Sequence, residues 1–313
     1  MEGTGFSHYS VMKDEAIAAL AIRENGVYVD CTAGGGGHSL EIAKRLGKDG
    51  RLFCLDQDED ALAACAKRLA GYEDRVTIRK CNFMVAPEVL QALGTECIDG
   101  ALMDLGVSSY QLDEAERGFS YMKDAPLDMR MDRTQSFTAR DLVNTYDENE
   151  LKRVLYSWGE EKFAPQIARE IVRRRSVKPI ERTSELVGII KDALPAKAKV
   201  GGHHPAKRSF QAIRIEVNKE LEIIEPTLRG LCDMLTPGGR LAVITFHSLE
   251  DRIVKQTFAS LAKGCTCPPD FPVCVCGKKP MVKIVEKGRE PSKKELDENP
   301  RSRSAHLRAV EKI

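Results

Sequence analysis

The sequence predicts an α/β protein, a doubly wound, Rossmann-like parallel sheet of about seven strands with a helical domain inserted into it. Two observations predict this fold. Short β-prone runs alternate with helical patterns along the first part of the chain, as they do in a doubly wound sheet. A stretch far longer than an ordinary connection then separates the fourth predicted strand from the fifth, so that stretch must hold structure of its own.

The strands and helices follow from the spacing of apolar residues. Strands are predicted at residues 27–30, 51–55, 75–79, 98–105, 238–246, 281–285 and 305–310. Helices are predicted around them at 6–24, 40–46, 60–70, 87–93 and 252–261, and in the long interval at 139–144, 148–158, 163–174 and 183–194. We therefore predict a sheet domain formed by 1–112 and 206–313 and an inserted helical domain at 113–205. One long helix, 210–235, returns the chain to the sheet.

Residues 27–39 (VYVDCTAGGGGHS) join the first strand to a helix through four consecutive glycines. Strand, glycine turn and helix N-terminus in this order form a nucleotide-sized site in open α/β sheets. Glycine lets backbone amides approach a ligand, and a helix start offers unpaired N–H groups. A plain tight turn needs one glycine, so four favour a ligand site.

The ligand predicted for this turn is a cation without phosphate. The dinucleotide pattern G-x-G-x-x-G/A does not fit, because its third glycine would fall on Ser39 or Leu40. Asp30, the last side chain of the strand, would repel a pyrophosphate and would suit S-adenosylmethionine, which carries an ammonium and a sulfonium. Asp56 lies nineteen residues after Gly37, the spacing of a ribose-hydroxyl acceptor. Its alternative role is a helix N-cap.

Two further strand ends carry candidate residues. Phe83 follows the third strand, where this fold places the adenine pocket, and its ring either stacks on the adenine or packs in the core. Asp104 ends the fourth strand, which the strand order places beside the reactive group.

The composition is that of an ordinary globular protein, with 42% hydrophobic and 30% charged residues. No signal-peptide pattern and no apolar run of membrane-spanning length is present, so we expect a cytoplasmic protein without a membrane partner. The ten cysteines do not imply disulfides in such a protein. The sequence leaves the oligomeric state open, a homodimer included.

The formal net charge of +1 hides an uneven distribution. Residues 162–214 carry thirteen Lys and Arg against four Asp and Glu, whereas residues 113–161 carry seven against twelve. Residues 277–313 are again basic, with eleven against six. This asymmetry indicates a polyanionic partner, although a solvated helix face is the alternative for each segment alone.

The chain resembles the bacterial ribosomal RNA small subunit methyltransferase H family (MraW type) nearly from end to end. The resemblance rests on a series of motifs in a fixed order: 34–39 (GGGGHS), 103–109 (MDLGVSS), 111–113 (QLD), 117–120 (RGFS), 126–132 (PLDMRMD), 204–206 (HPA), 210–215 (FQAIRI), 217–218 (VN), 246–252 (FHSLEDR) and 299–305 (NPRSRSA). After His-Pro-Ala this chain has Lys207-Arg208-Ser209 where the family tends to have Thr-Arg-Thr, which keeps a guanidinium and a hydroxyl.

The resemblance implies a class I methyltransferase sheet and transfer of a methyl group from S-adenosylmethionine to the exocyclic amino group (N4) of a cytidine. The target lies in 16S rRNA of the small ribosomal subunit, near the decoding centre. It implies cofactor contacts at Gly36, Gly37, His38, Asp56, Phe83, Asp104 and Gln111. Spacing alone indicated the glycines and Asp56 and pointed to Phe83 and Asp104, but it would have passed over His38 and Gln111.

We predict that Asp104 is catalytic and lies between the cofactor and the target amine. Amino-methyltransferases of DNA usually carry Asp/Asn-Pro-Pro-aromatic at this strand end, whereas this chain has residues 104–107 as DLGV. We further predict that the inserted domain recognises the substrate, and that the contacts to RNA are Arg208, Arg214, Asn218, His247, Arg301 and Arg303. For His247, a structural hydrogen bond to the following helix is the alternative.

Cys265, Cys267, Cys274 and Cys276 form two C-x-C units. Four thiols this close could hold zinc, but zinc knuckles usually have C-x-x-C, so no metal is counted among the predicted ligands and the question stays open.

Three other functions compete with the main prediction. The missing Pro-Pro-aromatic sequence opposes a DNA amino-methyltransferase. Asp30 and the failed glycine spacing oppose a nicotinamide oxidoreductase, and the three aspartates at 30, 56 and 104 oppose a non-catalytic RNA-binding protein.

Overall fold

A computed structural model describes residues 10–195, 204–265, 267, 271, 273 and 275–313, except for the side chain of Ser109. In these residues one sheet has the strands β1 Val27–Asp30, β2 Arg51–Asp56, β3 Val76–Lys80, β4 Ile98–Asp104, β5 Leu235–Thr245, β6 Val282–Arg289 and β7 His306–Lys312. Their spatial order is β3-β2-β1-β4-β5-β7-β6. Strands β1 to β5 are parallel, and β7 and β6 add an antiparallel edge. The predicted doubly wound, seven-stranded Rossmann-like sheet is confirmed.

The strand register brings the carboxyl ends of three strands to one edge of the sheet. Asp30 at the end of β1 is opposite Cys54 of β2 on one side and opposite Leu102 of β4 on the other. Strand β4 is buried along its length except at its two aspartates, of which Asp104 is the last residue. A central parallel strand is covered on both faces, so its apolar residues run almost without a break. Strands β1, β2 and β4 each end at an aspartate, at the point where this apolar run stops.

Thirteen α-helices lie in the part of the chain that the structure describes. They are α1 Lys13–Leu20, α2 Gly37–Ala43, α3 Glu59–Arg68, α4 Ala86–Ala92, α5 Ser109–Asp113, α6 Ala139–Thr145, α7 Glu148–Gly159, α8 Ala164–Arg175, α9 Thr183–Ala193, α10 Lys207–Asn218, α11 Ile224–Met234, α12 Ser248–Ala262 and α13 Lys293–Glu298. Short 3-10 helices occupy Phe83–Val85, Ala115–Arg117 and Pro300–Ser304. In the described residues, no helix is both long and apolar enough to cross a membrane.

The chain forms two compact units. The sheet unit comprises residues up to 106 and from 221 onward, and the helical unit comprises 107–220. These units differ from the predicted division at 112/113 and 205/206, chiefly because the prediction assigned α10 to the sheet domain. Phe210, Ile213 and Val217 of α10 instead belong to the apolar core of the helical unit. That burial fixes the helix in the unit whose core it completes.

Two predicted helices are shorter in the part of the chain that the structure describes. Residues 6–9 of the helix predicted at 6–24 lie outside that part. Within it the helix spans Lys13–Leu20, because Met12 and Ala21 both take a left-handed conformation at φ 48° and bound it. The long helix predicted at 210–235 is two helices, α10 and α11. Lys219 has φ 53°, which ends α10, although the apolar spacing continues beyond it. The spacing of apolar side chains does not reveal a single left-handed residue in the backbone.

Candidate active site

The glycine turn between β1 and α2 is shaped by its own packing. Gly34 and Gly36 have φ of 51° and 77°, which residues with a Cβ rarely adopt. A Cβ on Gly36 would lie 3.1 Å from the sulfur of Cys65, and one on Gly37 would lie 1.8 Å from the hydroxyl oxygen of Ser10. The glycines at 36 and 37 thus allow the start of helix α2 to pack closely against Cys65 and Ser10. The predicted contact of these two glycines with the cofactor stays a prediction.

Asp30 is used by the turn itself. Its Oδ2 accepts a hydrogen bond from the Ser39 hydroxyl at 2.6 Å, and its Oδ1 accepts one from the Thr32 amide at 3.2 Å. The side chain is buried, and that burial raises the pKa of the carboxyl to about 6. The sequence placed Asp30 directly beside a cationic ligand. Asp30 is only 1% exposed in the structure, and its Oδ2 is bound to α2 through Ser39, so its charge would act on a ligand through the field rather than by contact.

Asp56 links the end of β2 to the glycine turn. Its Oδ2 accepts a hydrogen bond from the Gly34 amide at 2.8 Å, and its Oδ1 accepts one from the Asp58 amide at 2.9 Å. Burial raises its pKa to about 6. The N-cap of α3 is Asp58, whose side chain accepts from the Asp60 amide, so Asp56 is not the helix cap. Each carboxylate oxygen has a second lone pair, which leaves Asp56 able to accept a ribose hydroxyl.

Among the aspartates that end β1, β2 and β4, Asp104 has the most unusual environment. Its backbone amide donates to the hydroxyl of Thr32 at 2.6 Å, which ties the end of β4 to the residues after β1. Its Oδ1 is buried and has no hydrogen-bond partner among the described residues. Burial, followed by the charges of Asp30, Glu250 and Glu295, raises the pKa of this carboxyl well above its ordinary value. A buried acceptor without a donor costs about 1–3 kcal/mol, which a ligand donor or cation would offset.

His38 contacts the same carboxyl. Its ring is 5% exposed, its Nε2 lies 3.0 Å from the carbonyl oxygen of Val11, and its Nδ1 lies 3.7 Å from Oδ2 of Asp104. The family resemblance had indicated this histidine, whereas its position as the second residue of α2 had not. The structure therefore brings His38, Asp56 and Asp104 together around the glycine turn.

The chemistry of this cluster fits S-adenosylmethionine. Three carboxyl groups with raised pKa values, one buried (Asp30) and two half-buried (Asp56 and Asp104), converge at one sheet edge, and Asp104 has an oxygen that is unsatisfied among the described residues. A ligand with two positive charges and no phosphate would stabilise the ionised carboxylates, whereas a pyrophosphate would be repelled. Asp56 would hold a ribose hydroxyl, and Asp104 would face the cationic end of the cofactor.

Phe83 and Gln111 lie in different units. Phe83 is a half-buried residue of the sheet unit, in a 3-10 helix whose N-cap is Asn82, and Asn82 in turn donates to the side chain of Gln57 at the end of β2. Gln111 belongs to the helical unit, where its side-chain oxygen accepts from the Ser108 amide at 3.0 Å in a capping box at the start of α5. Contact of either residue with the cofactor stays a prediction.

The residues predicted to contact RNA divide into exposed and structural ones. Arg208, Arg301 and Arg303 are exposed, and Arg208 donates to the carbonyl oxygen of Glu160. Arg214 is mostly buried and forms a bidentate ion pair with Glu220, with both N–O distances at 2.8 Å. Contacts of the exposed arginines with RNA stay predictions, while Arg214 is already engaged inside the helical unit.

Asn218 does not fit the predicted contact with RNA. Its side chain is buried, accepts from the Met131 amide at 2.7 Å, and donates to the carbonyl oxygens of Met129 and Arg214 at 2.7 and 2.9 Å. This amide holds the segment around residue 130 against α10. Asn218 and Arg214 do share a helix face, as predicted from their spacing, but that face points into the helical unit.

His247 is the N-cap of α12 in a capping box with Glu250. Its Nδ1 accepts from the Glu250 amide at 3.4 Å, and the Glu250 carboxylate accepts from the amides of Phe246 and His247. The His247 Nε2 lies 3.0 Å from Glu250 Oε1, an ion-pair distance, but is not aligned for a hydrogen bond. The structural alternative for His247 is therefore present in the molecule.

Sequence reasoning missed two residues of this site. Glu250 is 1% exposed and raises the pKa of Asp104, and Thr32 positions the Asp104 backbone. The signal for Glu250 was available, since His-x-x-Glu before an apolar run is a capping-box spacing. The contact of Thr32 joins residues far apart in sequence, and local spacing does not reveal it.

Comparison with known proteins gives one family for the whole chain. The model of the MraW methylase family matches residues 5–313. A protein of Symbiobacterium thermophilum named ribosomal RNA small subunit methyltransferase H is 58% identical over 98% of this chain and 97% of its own. A protein of the same name from Clostridium botulinum (strain Loch Maree / Type A3) is 56% identical over 98% of this chain and 99% of its own.

Proposed function

Because the chain belongs to the MraW methylase family, we propose that it transfers a methyl group from S-adenosylmethionine to the N4 amino group of a cytidine in 16S rRNA. The chain is thus a methyltransferase that uses S-adenosylmethionine. We place the target in the small ribosomal subunit, near the decoding centre, and the reaction in the cytoplasm. The observation that carries the proposal is the Asp104 carboxyl group beside the glycine turn, whose buried Oδ1 atom has no hydrogen-bond partner among the described residues.

For this reaction the protein mainly has to position the two reactants and to place charged groups beside them. The amino nitrogen of cytosine is a weak nucleophile, because its lone pair is delocalised into the ring. It must be held in line with the methyl group, and holding two reactants in line accounts for much of the rate enhancement of such reactions. The bound cofactor supplies an activated methyl group and leaves as a neutral thioether. A carbon–nitrogen bond forms as a carbon–sulfur bond breaks.

Asp104 takes the role of hydrogen-bond acceptor for the target amine. As the nitrogen gains the methyl group it becomes more acidic, and one of its protons must leave. A carboxylate whose pKa is raised by burial and by Asp30, Glu250 and Glu295 binds a proton more strongly than an exposed aspartate does. The orientation of Asp104 is set by Thr32, which accepts from its amide. His38 faces the other carboxyl oxygen and keeps it directed.

The helical unit provides the substrate surface in this proposal. The segment 162–214 is strongly basic, and Arg208 lies exposed at the start of α10. Phosphate contacts of exposed arginines supply affinity that weakens with salt. A cytosine within folded RNA has to leave its stack to reach a buried carboxyl, at a cost of a few kcal/mol.

The proposal is tested by methyl transfer from labelled S-adenosylmethionine to three substrates: isolated small subunits, naked 16S rRNA and DNA. The nucleosides are then separated to identify the modified base. We expect the label in N4-methylated cytidine from 16S rRNA, and none with the Asp104→Asn variant. Label in DNA would favour the DNA amino-methyltransferase instead. RNA binding without transfer to any substrate would favour a non-catalytic RNA-binding protein.

A further inference from the structure

A loop of the sheet unit brings three cysteine thiols together at the protein surface. The loop connects the end of α12 at Ala262 to the start of β6 at Val282. Its base is closed, because the Met281 amide donates to the Leu261 carbonyl oxygen at 2.9 Å and Gly264 lies against Pro280. The thiols therefore stand on a loop whose base is fixed.

The sulfur atoms of Cys265, Cys267 and Cys276 all lie within 4.8 Å of one another. The sulfurs of Cys265 and Cys276 are 3.7 Å apart. A zinc ion bound tetrahedrally at about 2.3 Å from each sulfur would hold two sulfurs about 3.8 Å apart. The observed separation thus matches one edge of a zinc–thiolate tetrahedron and is far longer than a disulfide, at about 2.05 Å.

Backbone amides point at these sulfurs. The Cys267 amide donates to the sulfur of Cys265, and the Val275 amide donates to the sulfur of Cys267, both at 3.4 Å. Amide hydrogen bonds stabilise a negatively charged acceptor more than a neutral one, so they favour thiolates, the form that binds metal. The C-x-C spacing had opposed a zinc site, because zinc knuckles usually have two residues between their cysteines. In the structure, the single residue between Cys265 and Cys267 does not prevent their thiols from sharing a site.

The loop does not form a small hydrophobic core, because its apolar side chains are exposed. Phe271, Val273 and Val275 are 52%, 69% and 74% exposed, while the three thiols converge. Burial of apolar area cannot explain this convergence, because Cys265 and Cys276 are themselves exposed. By contrast, Cys31, Cys54, Cys65 and Cys232 are buried in the apolar interior, the usual state of a structural cysteine.

We propose that Cys265, Cys267 and Cys276 bind one Zn²⁺ ion as thiolates and that the ion fixes the loop between α12 and β6. Binding releases the thiol protons to solvent, so the affinity rises with pH. The remaining cysteine of the two C-x-C units, Cys274, lies outside the described residues, and its substitution tests it as a further ligand. No electron transfer is involved, and the site is independent of the methyl-transfer reaction.

The first test is the metal content of the full-length protein, expressed with added zinc and freed of loose metal by gel filtration. We expect about one zinc atom per chain. The Cys265→Ser and Cys276→Ser variants should lose most of it. Cys97→Ser is the matched control, since Cys97 is another exposed cysteine of the sheet unit and should leave the zinc content unchanged. A wild-type protein with only trace zinc would overturn the proposal, as would zinc retained by both ligand variants.

The second test does not depend on the folding of a variant. Metal-free wild-type protein is titrated with Co²⁺ alone, and thiolate ligands should produce sulfur-to-cobalt charge-transfer bands and the strong visible bands of tetrahedral cobalt. Added Zn²⁺ should abolish both sets of bands. Absence of these bands would contradict the proposed site. A disulfide, detected as the loss of two titratable thiols, would contradict it as well, and so would bound iron in place of zinc.

Discussion

The Nδ1 atom of His38 lies 3.7 Å from Oδ2 of Asp104. The other ring nitrogen of His38, Nε2, is 3.0 Å from the Val11 carbonyl oxygen and carries the proton that it donates there. The His38 ring thus lies between the Val11 carbonyl oxygen and the Asp104 carboxyl group, whose pKa is raised by burial and by the neighbouring acids.

The titration of Asp104 predicts a pH-dependent affinity for S-adenosylmethionine. The raised pKa of Asp104 means that the free protein keeps the carboxyl protonated to a higher pH than usual, while a positive ligand favours the carboxylate. Binding should therefore release a proton, and the affinity should rise with pH until Asp104 ionises without help. Calorimetry in buffers of different ionisation enthalpy counts the released protons.

The Asp104→Asn variant is the control for this prediction. It keeps the size of the side chain and cannot ionise, so its proton release should fall and its affinity should become nearly independent of pH. Methyl transfer should drop by roughly 10²–10⁴-fold if Asp104 accepts the proton of the amine. An unchanged pH dependence of binding in this variant would show that the proton belongs to another group.

Asp30 predicts a specific pH dependence of stability. Its pKa rises from 3.8 in an unfolded chain to about 6 in the folded protein, so the folded state binds the proton more tightly. Its contribution is therefore complete below about pH 4 and is lost as the pH rises through 6. The free energy of unfolding of Asp30→Asn, minus that of the wild type, should rise by about 3 kcal/mol between pH 4 and 7.

Glu41→Gln provides the opposite case for the same denaturation series. Ion pairs with Lys44 and Arg45 lower the pKa of Glu41 to about 2, so its contribution is present above pH 4.5 and is lost only towards pH 2. The difference between this variant and the wild type should stay flat between pH 5 and 7. A flat difference for Asp30→Asn as well would show that its carboxyl titrates normally.

Asn218→Ala should destabilise the helical unit. The substitution leaves the Met131 amide and the Met129 carbonyl oxygen buried without their partner. Each such group costs about 1–3 kcal/mol. Chemical denaturation, with hydrogen exchange of the amides near residue 130 as a local measurement, checks the loss. A variant of wild-type stability with weakened RNA binding would restore the original prediction that Asn218 contacts RNA.

The meeting of Asp56 and Asp104 at one edge of the sheet was predictable because both stand at strand ends, which local patterns locate. Asp56 and Asp104 each follow an apolar run, and β1, β2 and β4 then bring them to one edge. The role of Asn218 was not predictable in the same way. Helical spacing showed correctly that Asn218 shares a face with Arg214. It did not show that this face is covered, because the segment around Met131 that covers it lies nearly ninety residues away in sequence. Local spacing likewise does not reveal the ion pair of Arg214 with Glu220, and the contact of Arg214 with RNA stays a prediction.

His247→Asn separates the capping role of this residue from contact with RNA. Asparagine is a good N-cap, so it should keep the start of α12 intact, whereas His247→Ala should lose about 1 kcal/mol. If His247 acts only as a cap, the asparagine variant should match the wild type in stability, methyl transfer and RNA affinity. Normal stability with at least a severalfold loss of RNA affinity would show a direct contact.

Arg208→Ala should weaken RNA binding without changing stability. The side chain is exposed at the start of α10, and its hydrogen bond to the Glu160 carbonyl oxygen leaves other guanidinium N–H groups available. Removal of one phosphate contact lowers the slope of log affinity against log salt by about one and weakens binding to all RNA sequences alike. Filter binding across a salt series measures both effects.

The matched control is Arg169→Ala, which removes another exposed arginine of the helical unit, one within 3.8 Å of Glu148. It should leave the salt slope at the wild-type value if Arg208 lies on the RNA surface and Arg169 does not. An equal loss in the two variants would mean that the basic segment acts through its overall field. In that case the affinity would follow the net charge of residues 162–214, whichever arginine is removed, because the field depends on the sum of the charges.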